Sequence, residues 1–157
     1  MGSNRALKKT DAGSDRIQVC SVVVGETLYG IPIGHILEIV GGARIQKVPL
    51  APEFVGGLLL YRGDVLTTVS LRWLLGMPPR AASQDLLVVE SAEGPFGLLV
   101  DAVKEVLTVS AADFEPNPST VSKEKQALFA GAYKLKTGLM VMLDPERVQP
   151  MRLAMAG

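Results

Sequence analysis

The chain has 157 residues, 48% hydrophobic but only 5% aromatic, so one ordinary domain or two very small ones must be packed mainly with Val, Leu and Ile. Lys plus Arg and Asp plus Glu stand at 16 each, a formal net charge of zero that removes any bulk attraction for nucleic acid or an anionic membrane. No apolar run reaches the roughly 18 residues of a membrane span and the start carries no signal-type hydrophobic region, so a soluble, cytoplasmic protein without direct membrane insertion is expected.

Residues 1–15 are polar and aperiodic and read as a flexible tail. From Arg16 the character changes. Ile17 to Val24 is a β-branched run, Gly25-Glu26-Thr27 a turn, and Leu28 to Ile31 the start of a return strand. Cys20, the only cysteine, lies in the first run and reads as a small buried hydrophobe; an intrachain disulfide is impossible. Pro32 ends easy ladder pairing, and one helical turn from Gly34 followed by a strand from about Glu38 is expected.

After a short run, Arg44 to Val48, cut by Pro49 and Pro52, comes the stretch on which the rest is organised, GGLLLYRGDVLTTVSLRWLL over Gly56 to Leu75. Arg62-Gly63-Asp64 interrupts two apolar runs, which predicts a tight hairpin, and Leu71 to Leu75 reads as one helical turn ended by Gly76 and Pro78-Pro79.

The second half repeats the first. Tyr29 to Val40 lies without a gap on Phe96 to Leu107 at an offset of 67, with aromatic, glycine, apolar and glutamate positions coinciding. Farther on, Phe54-Val55-Gly56 matches Phe129-Ala130-Gly131 and Gly63 matches Gly138 at an offset of 75, so the second copy carries about eight extra residues within Ser110 to Gln126. In its last hairpin Leu139 to Leu143 is wholly apolar, and Asp144-Pro145-Glu146 has the order of a helix start.

A duplicated unit of about five short strands predicts an all-β protein of two tandem five-stranded barrels, residues 16–80 and 84–150, packed on a common apolar seam and followed by a tail over 151–157.

Catalytic chemistry finds no support. One histidine, His35, and one cysteine share no motif, carboxylates are isolated, and no phosphate-binding or dinucleotide fingerprint occurs. No metal or cofactor is expected. Glu38 and Glu105 each sit in an apolar run; Glu38 can point to solvent or meet Arg62 in a two-pronged bond, whereas the position matching Arg62 in the second copy is Thr137.

The ordered set YGIPIGHILEIV, GGLLLYRGDVLTTVSLR, FGLLVDAVKEVL and LFAGAYKLKTGLMVMLDPERV resembles the CheW-like family, coupling proteins of bacterial chemosensory arrays, over about Arg16 to Val148. The resemblance implies a pair of SH3-like barrels without a catalytic site. Its implied partners are a chemoreceptor's cytoplasmic tip and the regulatory domain of a CheA-type histidine kinase, at membrane-associated arrays. It further implies that Ile36, Glu38, Gly57, Arg62, Leu86, Gly97 and Val103 line or support the receptor-facing groove. Leu60, Tyr61, Thr67 and Ser70 stand where the family usually has other residues. Those departures suggest a divergent member, with a scaffold or tether in a pilus-driven twitching or polar-localisation system as the alternative role.

Overall fold

The computed structural model describes residues 15–42, 45–80, 83–116 and 126–156. In chain order the strands are β1 (Arg16–Val24), β2 (Thr27–Pro32), β3 (Ile36–Val40), β4 (Val55–Tyr61), β5 (Asp64–Ser70), β6 (Asp85–Val89), β7 (Phe96–Val100), β8 (Ala102–Ser110), β9 (Phe114–Glu115), β10 (Phe129–Leu135) and β11 (Gly138–Leu143). Short helices α1 (Leu71–Leu74), α2 (Pro145–Val148) and α3 (Pro150–Ala156) follow the two long hairpins. The Ser70 hydroxyl accepts from Trp73 N at the start of α1, and the Asp144 carboxylate accepts from Glu146 N at the start of α2, so each helix begins on a side-chain cap.

The strands form two sheets, one six-stranded in the order β9-β10-β11-β2-β1-β8 and one five-stranded in the order β3-β6-β7-β5-β4. Neither closes, which corrects the expectation of two barrels: the outer strands of each sheet, β9 and β8 in one and β3 and β4 in the other, are not paired with each other. In the five-stranded sheet the backbone bonding across the gap among the described residues is a single bridge from the loop after β3, in which Gln46 N donates to Leu58 O at 2.9 Å and Leu58 N to Gln46 O at 2.7 Å. Pro49 and Pro52 follow within six residues, and a proline has no backbone donor with which to extend a ladder.

The sheets also do not follow the two sequence segments. The first two strands of the first repeat, β1 and β2, pair with β8 and β11 of the second, and β6 and β7 of the second pair with β3 and β5 of the first. At the second exchange the cause is the length of the connection: only Asp101 separates β7 from β8, whereas the 3-10 turn Ile33–His35 lies between β2 and β3. A hairpin reversal needs at least a two-residue loop. With one residue available at Asp101 the chain bends and runs on into the other sheet.

Three apolar clusters result. Each sheet curls over one of its own: Val19, Val109, Tyr133, Met140 and Met142 in the six-stranded sheet, and Leu59, Leu66, Leu86, Val88 and Leu99 in the five-stranded one. Between them lies the largest, to which Cys20, Val22 and Ile31 contribute from one sheet and Leu87, Leu98 and Val100 from the other. Alternation along β6 and β7 explains this, since successive side chains face opposite sides and both faces are covered.

The registers fix the internal match more finely than the sequence does. Tyr61 pairs with Asp64 and Leu135 with Gly138, while Ser70 N donates to Phe54 O as Asp144 N does to Leu128 O. The hairpins are therefore related by 74 residues, not 75. The residue that corresponds to Arg62 is Lys136 instead of Thr137, and Gly131 corresponds to Gly57. Both glycines sit at a bulge with positive φ, 142° and 138°. An added Cβ would stand 2.6 Å from Gln46 O at the first and 2.8 Å from Glu115 O at the second, so no side chain fits either place.

The expected extra segment between Ser110 and Gln126 begins with the 3-10 turn Ala111–Asp113 and the short strand β9; residues 117–125 lie outside the described residues, as do 1–14 of the expected tail and 81–82 of the expected link.

Candidate protein-binding edge

Six of the seven residues singled out from the sequence lie in or at the five-stranded sheet: Ile36 and Glu38 on β3, Gly57 on β4, Arg62 in the β4–β5 turn, Leu86 on β6 and Gly97 on β7. Val103 lies on β8 of the other sheet. Its backbone N donates to Asp85 Oδ2 at 2.8 Å, a bond that ties the start of β8 to the start of β6.

These residues separate by reach. Leu86 is fully buried, and Gly57 and Gly97 are buried glycines; a Cβ on Gly97 would come within 2.8 Å of Thr68 Cγ2 and 3.1 Å of Leu86 Cδ1. They shape the sheet from within. Ile36 and Val103 are half-buried against the cluster between the sheets, one from each side. Only Glu38 and Arg62 present charged groups to the surface.

Glu38 lies on one outer strand of an open sheet and Arg62 in the turn that follows the other, yet Arg62 Nη2 lies 3.4 Å from Glu38 Oε1, with the side chains 73% and 41% exposed. The curl of the sheet brings its edges within side-chain reach. The contact is a single one, in place of the two-pronged bond considered from sequence. The Arg62 guanidinium also stands 5.2 Å from the centre of the Tyr61 ring, a cation–π distance. Arg62 and Gly63 both have positive φ, 49° and 85°, as a two-residue hairpin loop of the I′ type demands. Arginine is a costly residue there, since a Cβ is disfavoured in the left-handed region.

On the outer face of the same hairpin Leu60 pairs with Val65, and both are largely exposed, 73% and 66%. Leu37 and Ile39 of β3 are exposed as well, so both edges of this sheet carry exposed aliphatic residues.

Sequence reasoning missed one cluster. Asp101, only 3% exposed, accepts from Arg72 Nη1 at 2.6 Å, lies 3.2 Å from Arg80 Nη1, and accepts from Gly25 N at 2.8 Å, all at Oδ2. Arg72 Nε donates in turn to Pro78 O at 2.8 Å. The carboxylate thus fastens the β1–β2 turn of one sheet to α1, which leaves the other. The four positions are scattered along the chain, and no local pattern joins them.

The single histidine is structural in its contacts: its Nδ1 lies 3.3 Å from Glu90 O, and its own carbonyl accepts from Glu90 N. Burial pushes the Cys20 thiol above its ordinary value of 9.0, which keeps it protonated and a poor nucleophile. Burial likewise raises Tyr29 and Tyr133 above 10.0, although a bond with Thr27 partly offsets the shift at Tyr29. Among the described residues no group of three or more His, Cys, Asp or Glu could hold a metal ion, and no helix is long and apolar enough to cross a membrane.

Residues 18–151 match the family described as CheW-like domain. The chain belongs to the CheW-like family. It is 30% identical over 145 residues to the chemotaxis protein CheW of Helicobacter pylori, covering 91% of this chain and 87% of that one. Over 152 residues it is 30% identical to the chemotaxis protein CheW of Rhizobium meliloti, covering 94% and 95%. The fold is similar to the crystal structure of the scaffolding protein TtCheW from Thermoanaerobacter tengcongensis, with a TM-score of 0.76 and 28% identity over 84% of this chain and 91% of that one. As a member of the CheW-like family the protein is a non-enzymatic adaptor of chemotaxis signalling that bridges receptor and kinase.

Proposed function

We propose that the protein joins the cytoplasmic tip of a methyl-accepting chemoreceptor to the regulatory domain of a CheA-type histidine kinase at membrane-associated arrays, and that the open edges of the five-stranded sheet carry the receptor contact. The observation that supports this reading is Arg62, an exposed arginine held at φ 49° where glycine or asparagine would be easier, and bridged to Glu38 across the gap. Strain kept at an exposed position fits a role outside folding.

In this reading Ile36, Glu38 and Arg62 face the receptor, Gly57, Leu86 and Gly97 keep the sheet thin and curled beneath them, and Val103 holds the second sheet against it. Edges that carry an arginine together with exposed aliphatic residues have the composition of a binding hot spot. Calorimetric titration of receptor tip and kinase regulatory domain into wild-type protein and Arg62→Ala tests it. The variant should remain folded by circular dichroism and lose at least about tenfold in receptor affinity. Lysine should restore only part, because it lacks the planar fork. Wild-type receptor affinity in the folded alanine variant would remove Arg62 from the site.

A further inference from the structure

At the other end of the β4–β5 hairpin, about 20 Å from Arg62 at the usual rise per strand residue, a second feature opens. It is a cleft of about 290 Å³ between the loop before β4, helix α1 and the segment before β6. Lys47, Arg72, Arg80 and Gln84 supply its polar lining, and Trp73 with Val48 part of its apolar wall.

The donors outnumber what the protein uses. Arg72 and Arg80 share the one carboxylate of Asp101, and Glu53 accepts from Trp73 Nε1 at 3.0 Å. Lys47 makes no ion pair among the described residues. Among the described residues Gln84 Nε2 is buried with no hydrogen-bond partner, as is the second Asp101 oxygen, Oδ1, and an unpaired buried donor is costly unless something else supplies the acceptor. Three cations against two carboxylates leave one positive charge at the cleft.

The rim is apolar and raised. Trp73 is 44% exposed, Val48 37%, and Leu50 wholly exposed at φ 67°. Ala51 N donates to Val48 O, so Pro49 and Leu50 occupy the centre of a turn whose third position favours glycine. A leucine held there, away from every core cluster, adds an apolar knob to the loop that borders the cleft.

We infer that this cleft is a second protein-docking site, which takes a carboxylate side chain from an acidic segment flanked by aliphatic residues on a partner protein. Lys47, Arg80 and Gln84 receive the carboxylate, and Trp73, Val48 and Leu50 receive the flanking aliphatic groups. Charge complementarity and the unused donor select an anion; the apolar rim selects a peptide over a free ion. The site stands on its own geometry and does not depend on the role of Arg62.

Trp73 is the only tryptophan of the chain and forms part of the wall, so its fluorescence reports occupancy directly. The probe is the capped peptide acetyl-Leu-Glu-Glu-Leu-amide, titrated into the whole protein to about 10 mM, the range expected of a short peptide. The controls are its Leu-Gln-Gln-Leu counterpart and inorganic phosphate. A saturable change with the acidic peptide, weakened at least about tenfold by Lys47→Glu and kept by Lys47→Arg, supports the site. Lys47 is exposed and makes no ion pair among the described residues, so both variants should fold, and circular dichroism checks that they do. No saturable change, an equal response to the glutamine peptide or to phosphate, or an unaltered affinity in Lys47→Glu would overturn it.

Discussion

Glu38 stands on one outer strand of the five-stranded sheet and Arg62 in the turn that follows the other, and their side chains meet at 3.4 Å over a gap that no strand pairing closes. Because both are largely solvated, screening leaves the pair a direct contribution of about 1 kcal/mol or less. Arg62→Ala should therefore shift a urea unfolding midpoint only slightly, and Arg62→Gly should be no less stable than Arg62→Ala, since glycine accepts the left-handed backbone without strain. A glycine variant clearly less stable than the alanine variant would show that the turn is not strained at Arg62.

The Asp101 cluster should behave in the opposite way. Its carboxylate is 3% exposed and holds two guanidiniums and a backbone N–H, so Asp101→Asn leaves Arg72, itself 14% exposed, without its compensating charge. Breaking such a pair from one side costs about 3–5 kcal/mol. Equilibrium unfolding that shows less than about 1 kcal/mol would mean that the two sheets are fastened elsewhere.

Much of this was legible in the sequence, and the limits have physical causes. The hairpin around Arg62-Gly63 and the cap at Asp144 are local patterns and emerge as read, whereas the Ser70 cap was not anticipated. The strand after Pro32 starts at Ile36, two residues before the expected Glu38, because the helical turn is complete by His35. The exchange of strands between repeats escaped notice because each strand is apolar on faces that either partner sheet could cover. It is decided by connection length at Asp101, whose burial among Arg72, Arg80 and Gly25 has no local signature. The match of Gly56 with Gly131 slipped by one because two adjacent glycines, Gly56 and Gly57, satisfy the same pattern; only the positive φ and the bulge select Gly57.

The cluster between the sheets yields a paired prediction. Ile36 and Val103 approach it from different sheets, each half-buried, and truncating either to alanine should cost about 1–3 kcal/mol by lost transfer energy and packing. Unfolding curves unmoved by both substitutions would place these side chains at the surface, free to meet a partner.

Gly57 admits no side chain, because its φ of 142° is strained for any other residue and a Cβ would press on the Gln46 carbonyl. Gly57→Ala should lose about 1–3 kcal/mol, measured by thermal or chemical unfolding, together with the Gln46–Leu58 bridge that spans the sheet edges. Unchanged stability would show that the bulge can shift without cost.

Alkaline pH should weaken the fold through Cys20. Its folded pKa is raised above 9.0 by burial, so the unfolded chain gives up the proton first. The contribution is fully present below the unfolded value and is lost as pH rises from there through the folded value; Tyr29 and Tyr133 add to the loss above 10.0. Cys20→Ala should lower stability at neutral pH by removing packed volume, yet flatten its decline between pH 9.0 and 10.0. A decline as steep in the variant as in the wild type would exclude the thiol as its source.

The adaptor role is tested most directly by co-sedimentation of a CheA-type kinase with receptor-bearing membranes as this protein is added. Wild-type protein should bring kinase down with the receptors in a saturable manner, and folded Arg62→Ala should require at least about tenfold more protein for the same recovery. Kinase recovery that is independent of the wild-type protein would contradict the adaptor reading, and equal recovery with the two proteins would contradict a receptor contact through the Arg62–Glu38 edge.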